Sequence, residues 1–236
     1  MLPTKRLSHV LMALLVCTAP VGAAATITLV AGGGDGADGS PATQGKLVWP
    51  FAVDFDKSGN MYIAEMKGGE RIRKVDAKGI LTTIAGTGKP GLSGDGADAT
   101  KAALNGPHHL VVGPDDSSLY VADTFNHCVR KIDLKTGIIS MFAGTGVKGF
   151  GGDGGPADKA QLNESYCLAN DAAFEHLYIV DLKNSRVRAV NMKTGIISTV
   201  AGSGQKGTPA DGSDAKTNPL NDPRAICVDS KGNLYI

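Results

Sequence analysis

One short word recurs along this chain at almost constant spacing. Ile84-Ala85-Gly86-Thr87-Gly88 returns as Phe142-Ala143-Gly144-Thr145-Gly146 and Val200-Ala201-Gly202-Ser203-Gly204, with an earlier version at Val30-Ala31-Gly32-Gly33-Gly34. The steps are 54, 58 and 58 residues. Other landmarks keep step, including Leu104-Asn105, Leu162-Asn163 and Leu220-Asn221, then Leu119-Tyr120, Leu177-Tyr178 and Leu234-Tyr235. A unit of this length buries its apolar face only against its neighbours, so the repeat dictates an architecture of stacked equivalents.

Within a unit the pattern predicts four short strands. The first is Pro50 to Asp56, matched by Pro223 to Asp229, and a turn such as Lys57-Ser58-Gly59-Asn60 follows it. The second is Met61 to Ala64, Leu119 to Ala122 or Leu177 to Val180. The third is Arg71 to Asp76, Val129 to Asp133 or Val187 to Asn191, where apolar and charged residues alternate as in a half-buried strand. The fourth is Ile80 to Ile84, Ile138 to Phe142 or Ile196 to Val200. Four antiparallel strands per repeat, set radially, make an all-β fold, a β-propeller.

Tyr120-Val121-Ala122-Asp123 followed by Asn126-His127-Cys128-Val129-Arg130-Lys131-Ile132-Asp133 resembles the NHL repeat, with Cys128 where the family name has leucine. The Gly-rich linkers resemble those of secreted NHL arrays. The resemblance implies a propeller, commonly six-bladed, that serves as a binding platform. It also includes an enzyme branch, the amidating lyases, that holds zinc through histidines. The third repeat departs from the pattern: it has Asn184-Ser185-Arg186 for Asn-His-Leu, and Glu164-Ser165 where its neighbours have Gly106-Pro107 and Asp222-Pro223. The loop there is expected to differ locally.

The strand tally predicts an incomplete ring of about three complete blades and two part-blades. Blades are expected at approximately 47–86, 104–144 and 162–202, with a partial blade at 220–236 and residues 27–32 as a candidate ring-closing strand. Stopping inside a fourth unit leaves apolar strand edges unpaired, so the expectation is a fragment of a longer, six-bladed protein.

Residues 1–25 read as a signal peptide, with Lys5 and Arg6, an apolar run from Val10 to Val16 and small residues through Ala25. The apolar run is too short to span a bilayer. The expected location is therefore secreted or periplasmic, with no membrane span after the leader is removed. Without Lys5 and Arg6, 22 basic residues face 23 acidic ones, a net of −1, so no electrostatic footprint for nucleic acid remains. Cys128, Cys167 and Cys227 allow at most one disulfide, and their pairing is left open.

Each motif that hints at chemistry also has a structural reading. Gly86-Thr87-Gly88-Lys89-Pro90-Gly91 fits a dinucleotide turn, but it recurs at 144–149 and 202–207 and is followed by glycine-rich linker, not a long helix. Joints between blades explain it better. The clusters Asp35/Asp38, Asp95/Asp98, Asp153/Asp158 and Asp211/Asp214 are read as Asx-turns, with weak calcium or other divalent-ion binding as the alternative. His108-His109 is the most metal-like pair, but adjacent strand residues point to opposite faces. No cofactor is predicted. Glu65, Asp123 and Asp181 are expected to pair with Asn126, Asn184 or the arginines Arg73, Arg130 and Arg188.

After each linker the four units carry Phe51, His108, Tyr166 and Arg224 at one equivalent position. With His109, these are the candidate binding residues on the rim of the central channel. No catalytic residue is assigned, because every prominent motif is repeated and repeated motifs build blades. The favoured reading is an exported scaffold for an unknown protein, glycan or small-molecule ligand. The rival is a gluconolactonase-like or lyase-like propeller enzyme with a divalent metal in its channel.

Overall fold

The computed structural model describes residues 14–18 and 26–236. Strands β1 (Leu14–Thr18) and β2 (Thr26–Ala31) form an antiparallel pair. The rest of the expected leader lies outside the described residues. The expected ring-closing segment is thus a strand whose partner here is β1, and its end, Val30 and Ala31, packs on the first blade.

Three four-stranded antiparallel blades follow. The first contains β3 (Pro50–Phe55), β4 (Met61–Glu65), β5 (Arg71–Val75) and β6 (Leu81–Ala85). After a two-residue strand, β7 (Ala97–Asp98), the second contains β8 (Pro107–Val112), β9 (Ser118–Asp123), β10 (Cys128–Asp133) and β11 (Ile138–Ala143). The third contains β12 (Ser165–Asn170), β13 (His176–Asp181), β14 (Arg186–Asn191) and β15 (Ile197–Ala201). A short pair, β16 (Cys227–Val228) and β17 (Leu234–Tyr235), stands where a fourth blade begins. The first strands are innermost: β8 packs between β3 and β12, and β12 reaches β16.

Alternate residues of each blade face its neighbours and fill the wedges between blades. Ala64, Ile72, Leu110, Val121 and Ile139 share one apolar cluster, and Leu104 from the linker is fully buried inside it. Leu162 plays the same part between the second and third blades. Each such leucine contributes about 2–3 kcal/mol through burial.

The joints explain the recurring glycines. Gly86, Gly144 and Gly202 have φ of 91°, 86° and 89°, the left-handed region that favours glycine. A Cβ on them would lie 2.2 Å from Glu70 O, 2.6 Å from His127 O and 2.2 Å from Ser185 O. Each linker then runs along the outer edge of the next blade. Gly39 N–H donates to Leu81 O, Gly96 N–H to Ile139 O and Gly154 N–H to Ile197 O, all at 2.8 Å, which covers edges otherwise open to pairing.

The linker carboxylates correct the Asx-turn expectation. Asp98 does accept from Thr100 N–H at 2.9 Å, as a turn cap should. Asp38, Asp95 and Asp153 instead take the guanidinium groups of Arg73, Arg130 and Arg188 at 2.7, 2.8 and 2.6 Å. The same arginines face Glu65, Asp123 and Asp181 at 3.2, 3.5 and 3.4 Å, so each blade carries one arginine between two carboxylates. Asn126 and Asn184 donate to Asp123 and Asp181 at 2.8 Å, in line with the expected pairing. Burial pushes the Asp123 carboxyl up to about 7 against the pull of Asn126, the Asn105 N–H and Arg130.

Candidate functional site

Each innermost strand begins in the same unusual way. Trp49, Glu164 and Asp222 have φ of 49°, 61° and 53°, and Gly106 at the equivalent place has 61°. Holding a non-glycine residue in this region costs roughly 1–2 kcal/mol, so the bend is imposed by its surroundings. Two residues later the pairing register slips. Pro50 pairs with Glu65 and Ala52 with Ala64, which leaves Phe51 outside the ladder. Pro107 pairs with Asp123 and His109 with Ala122, which leaves out His108. Ser165 pairs with Asp181 and Leu168 with Ile179, which frees Tyr166 and Cys167. A bulge of this kind re-aims the side chain it releases.

The released side chains meet. The His108 ring lies 4.7 Å from Phe51 and 4.4 Å from Tyr166, while Phe51 and Tyr166 are 6.2 Å apart at 90°. Arg224 places its guanidinium carbon 5.4 Å from the Tyr166 ring and a nitrogen 3.4 Å from its hydroxyl. Asp222 holds Arg224 at 2.8 Å. Four of the five predicted rim residues are therefore brought together. His109 is not among them: it returns to the ladder, and its Nδ1 is buried without a partner. The altered Glu164-Ser165 loop keeps the left-handed bend of its neighbours, but the register slip after it spans two residues where theirs spans one. It also adds polar contacts, with Ser165 Oγ donating to Cys128 O and Thr124 Oγ1 donating to Ser165 O, each at 2.6 Å across the blade boundary.

Sequence reasoning missed Trp49 and Phe125. Phe125 stacks edge-on to His108 at 5.5 Å and lies over Gly106, where any Cβ would meet its ring at 2.4 Å. Phe51 and Phe125, 47% and 42% exposed, flank the buried imidazole, and Trp49, 58% exposed, stands at the bend two residues before Phe51. His108 Nδ1 sits 2.8 Å from the Gly106 carbonyl, which can only accept, so the proton is on Nδ1 and Nε2 is left as an acceptor. Burial lowers its pKa against the opposing Gly106 hydrogen bond and the charge of Glu164. The rim thus offers aromatic faces, a neutral imidazole, a guanidinium and flanking carboxylates, a set suited to recognition. Among the described residues no group of three or more His, Cys, Asp or Glu side chains converges as a metal site, and no helix is long and apolar enough to cross a membrane.

Known proteins share this architecture. The family described as the teneurin NHL domain matches residues 92–236, more than half of the chain. NHL repeat-containing protein 2 of Gallus gallus is 35% identical over 116 residues, covering 49% of this chain and 15% of that protein. Teneurin-1 of Gallus gallus is 30% identical over 221 residues, covering 84% of this chain and 8% of that protein. The chain therefore spans under a fifth of the length of these relatives. Among solved structures, a protein of unknown function from Bacteroides thetaiotaomicron superposes with a TM-score of 0.60 at 25% identity, covering 78% of this chain and 43% of that one. The repeat, the radial blades and the family match agree, and the chain belongs to the NHL-repeat propeller family represented by the teneurin NHL domain.

Proposed function

We propose that this chain is an extracytoplasmic recognition module that binds a protein, glycan or small-molecule ligand at the Phe51–His108–Tyr166–Arg224 rim. The observation that carries this reading is the shared construction of the four positions, each preceded by a left-handed residue and, in the three complete blades, released from strand pairing. Such geometry does nothing for the ladder, yet it gathers four different side chains in one place. Export rests on the leader-like residues 1–25, and support for binding rests on the exposed aromatic surface.

Trp49 is the single tryptophan of the chain, so its emission reports on the bend that leads into Phe51. Titration with a panel of oligosaccharides and extracellular protein domains is expected to find a ligand that shifts Trp49 fluorescence and binds at least tenfold more weakly to Phe51→Ala and Tyr166→Ala. A ligand that binds tightly, leaves Trp49 unchanged and ignores both substitutions would overturn the assignment.

A further inference from the structure

The third blade enters the rim differently from the other units. Trp49, Gly106 and Asp222 are each followed by a proline, Pro50, Pro107 or Pro223, whose ring fixes its own φ and stiffens the entry to the strand. Glu164 is followed by Ser165, and the longer slip after it frees both Tyr166 and Cys167 from the ladder. Neither a proline nor close strand pairing fixes this entry.

Hydrogen bonds from the second blade take the place of the proline. Thr124 Oγ1 donates to Ser165 O, and Ser165 Oγ donates to Cys128 O, each at 2.6 Å. Between those two donor and acceptor positions, His127 Nδ1 accepts from the Glu164 N–H at 3.1 Å. His127 caps the 3-10 turn Thr124–Asn126 in a left-handed conformation, as Glu70 and Ser185 do at the same place in the other blades. Among the described residues, neither Glu70 nor Ser185 makes a side-chain hydrogen bond to the bend of the next unit.

Of the three bonds only one depends on a proton. Nδ1 accepts while the ring is neutral and carries its proton on Nε2; protonation makes both nitrogens donors and sets N–H against N–H. Burial lowers the His127 pKa below 6.5, and Lys148 on the adjoining linker lowers it further, against the pull of Glu164. Glu164 in turn faces Lys183 at 3.8 Å and favours a charge on His108, which Arg224 opposes.

We propose that His127 is a proton-operated latch on the rim. Its neutral ring holds the Glu164 bend, and with it the position of Tyr166. Protonation breaks that bond and draws the imidazolium toward the Glu164 carboxylate. The latch is therefore closed above pH 6.5 and opens as pH falls through the folded midpoint. His127 is a positioning residue, and only the consequence that acid would loosen a bound ligand rests on the reading of the rim as a binding surface.

The test follows backbone amides and histidine ring signals of the full chain by NMR from about pH 7.5 to about pH 5. The Glu164 amide should be protected from exchange at the upper end. Measured against the unfolded chain at each pH, its protection should fall at least tenfold as His127 titrates, and the Tyr166 amide should shift with the same midpoint. His127→Asn keeps an acceptor at the place of Nδ1, tolerates the left-handed backbone and cannot titrate, so Glu164 should stay protected throughout. Ser165→Pro restores the proline of the neighbouring units and should quench the Tyr166 response while His127 still titrates. Unchanged protection of Glu164 while His127 gains its proton would overturn the proposal. So would a Tyr166 shift that persists in His127→Asn, since it would belong to His108. None of these readouts needs a ligand, so the latch can fail while the binding role of the rim stands, and the reverse.

Discussion

Arg130 meets Asp95 at 2.8 Å across a gap of 35 residues, and Arg73–Asp38 and Arg188–Asp153 keep the same separation. The ion pair ties each linker to the third strand of the blade it enters, so the repeat is locked by charge as well as by apolar burial. Arg130 also faces the fully buried Asp123 at 3.5 Å, and removing one member of such a buried pair costs about 3–5 kcal/mol because the other charge is stranded. Arg130→Met should lose stability on that scale in urea unfolding. Adding Asp123→Leu should recover part of the loss; a double variant as unstable as the sum of its singles would contradict the coupling.

Asp123 also predicts a pH signature. Burial raises its folded pKa from 3.8 to about 7, so between these values the folded state binds the extra proton. Its contribution to stability is fully present below about pH 4 and is lost as pH rises to about 7. The stability gap between the parent and Asp123→Asn should therefore shrink across pH 4 to 7 and then level off, as read from denaturant midpoints. A gap that widens with pH would reverse the sign.

His108 gives the opposite sign. Burial depresses its pKa below the ordinary 6.5, so its support for the folded state is present above that value and is lost as pH falls through the folded midpoint. Nitrogen-15 NMR at neutral pH should show a neutral ring protonated at Nδ1, with a titration midpoint under 6.5. A ring protonated at Nε2 would break the Gly106 hydrogen bond inferred here.

Glycines that share the left-handed region should respond differently by surroundings. Gly79 (φ 77°) has open space where a Cβ would go, and Gly79→Ala should cost about 1–2 kcal/mol of backbone strain. At Gly86 (φ 91°) the Cβ would sit 2.2 Å from Glu70 O, and Gly86→Ala should cost about 3 kcal/mol or more by thermal unfolding. Equal costs would mean that the joint tolerates a wider approach than the structure shows.

The blades were legible in the sequence because the repeat exposes strand boundaries three times over, and Glu65, Asp123 and Asp181 found the partners their positions suggested. The linker carboxylates were not. Motif matching sets Gly34-Asp35-Gly36-Ala37-Asp38 against Gly94-Asp95-Gly96-Ala97-Asp98, which equates Asp35 with Asp95. The ladder bond from Gly39 N–H to Leu81 O, parallel to that from Gly96 N–H to Ile139 O, equates Asp38 with Asp95 instead. A three-residue deletion shifts the register, and a partner 35 residues away lies outside any local window. The left-handed bends at Trp49, Glu164 and Asp222 were equally hidden, because only Gly106 carries the residue that normally marks such a position.

The bulges at Phe51, His108 and Tyr166 have a consequence for how such a surface diversifies. The ladder skips these residues, so no main-chain pairing depends on which side chain occupies them. Exchanging one leaves the arginine locks and the linker leucines intact. A propeller built this way can trade one ligand for another by single substitutions while the scaffold beneath stays as it was.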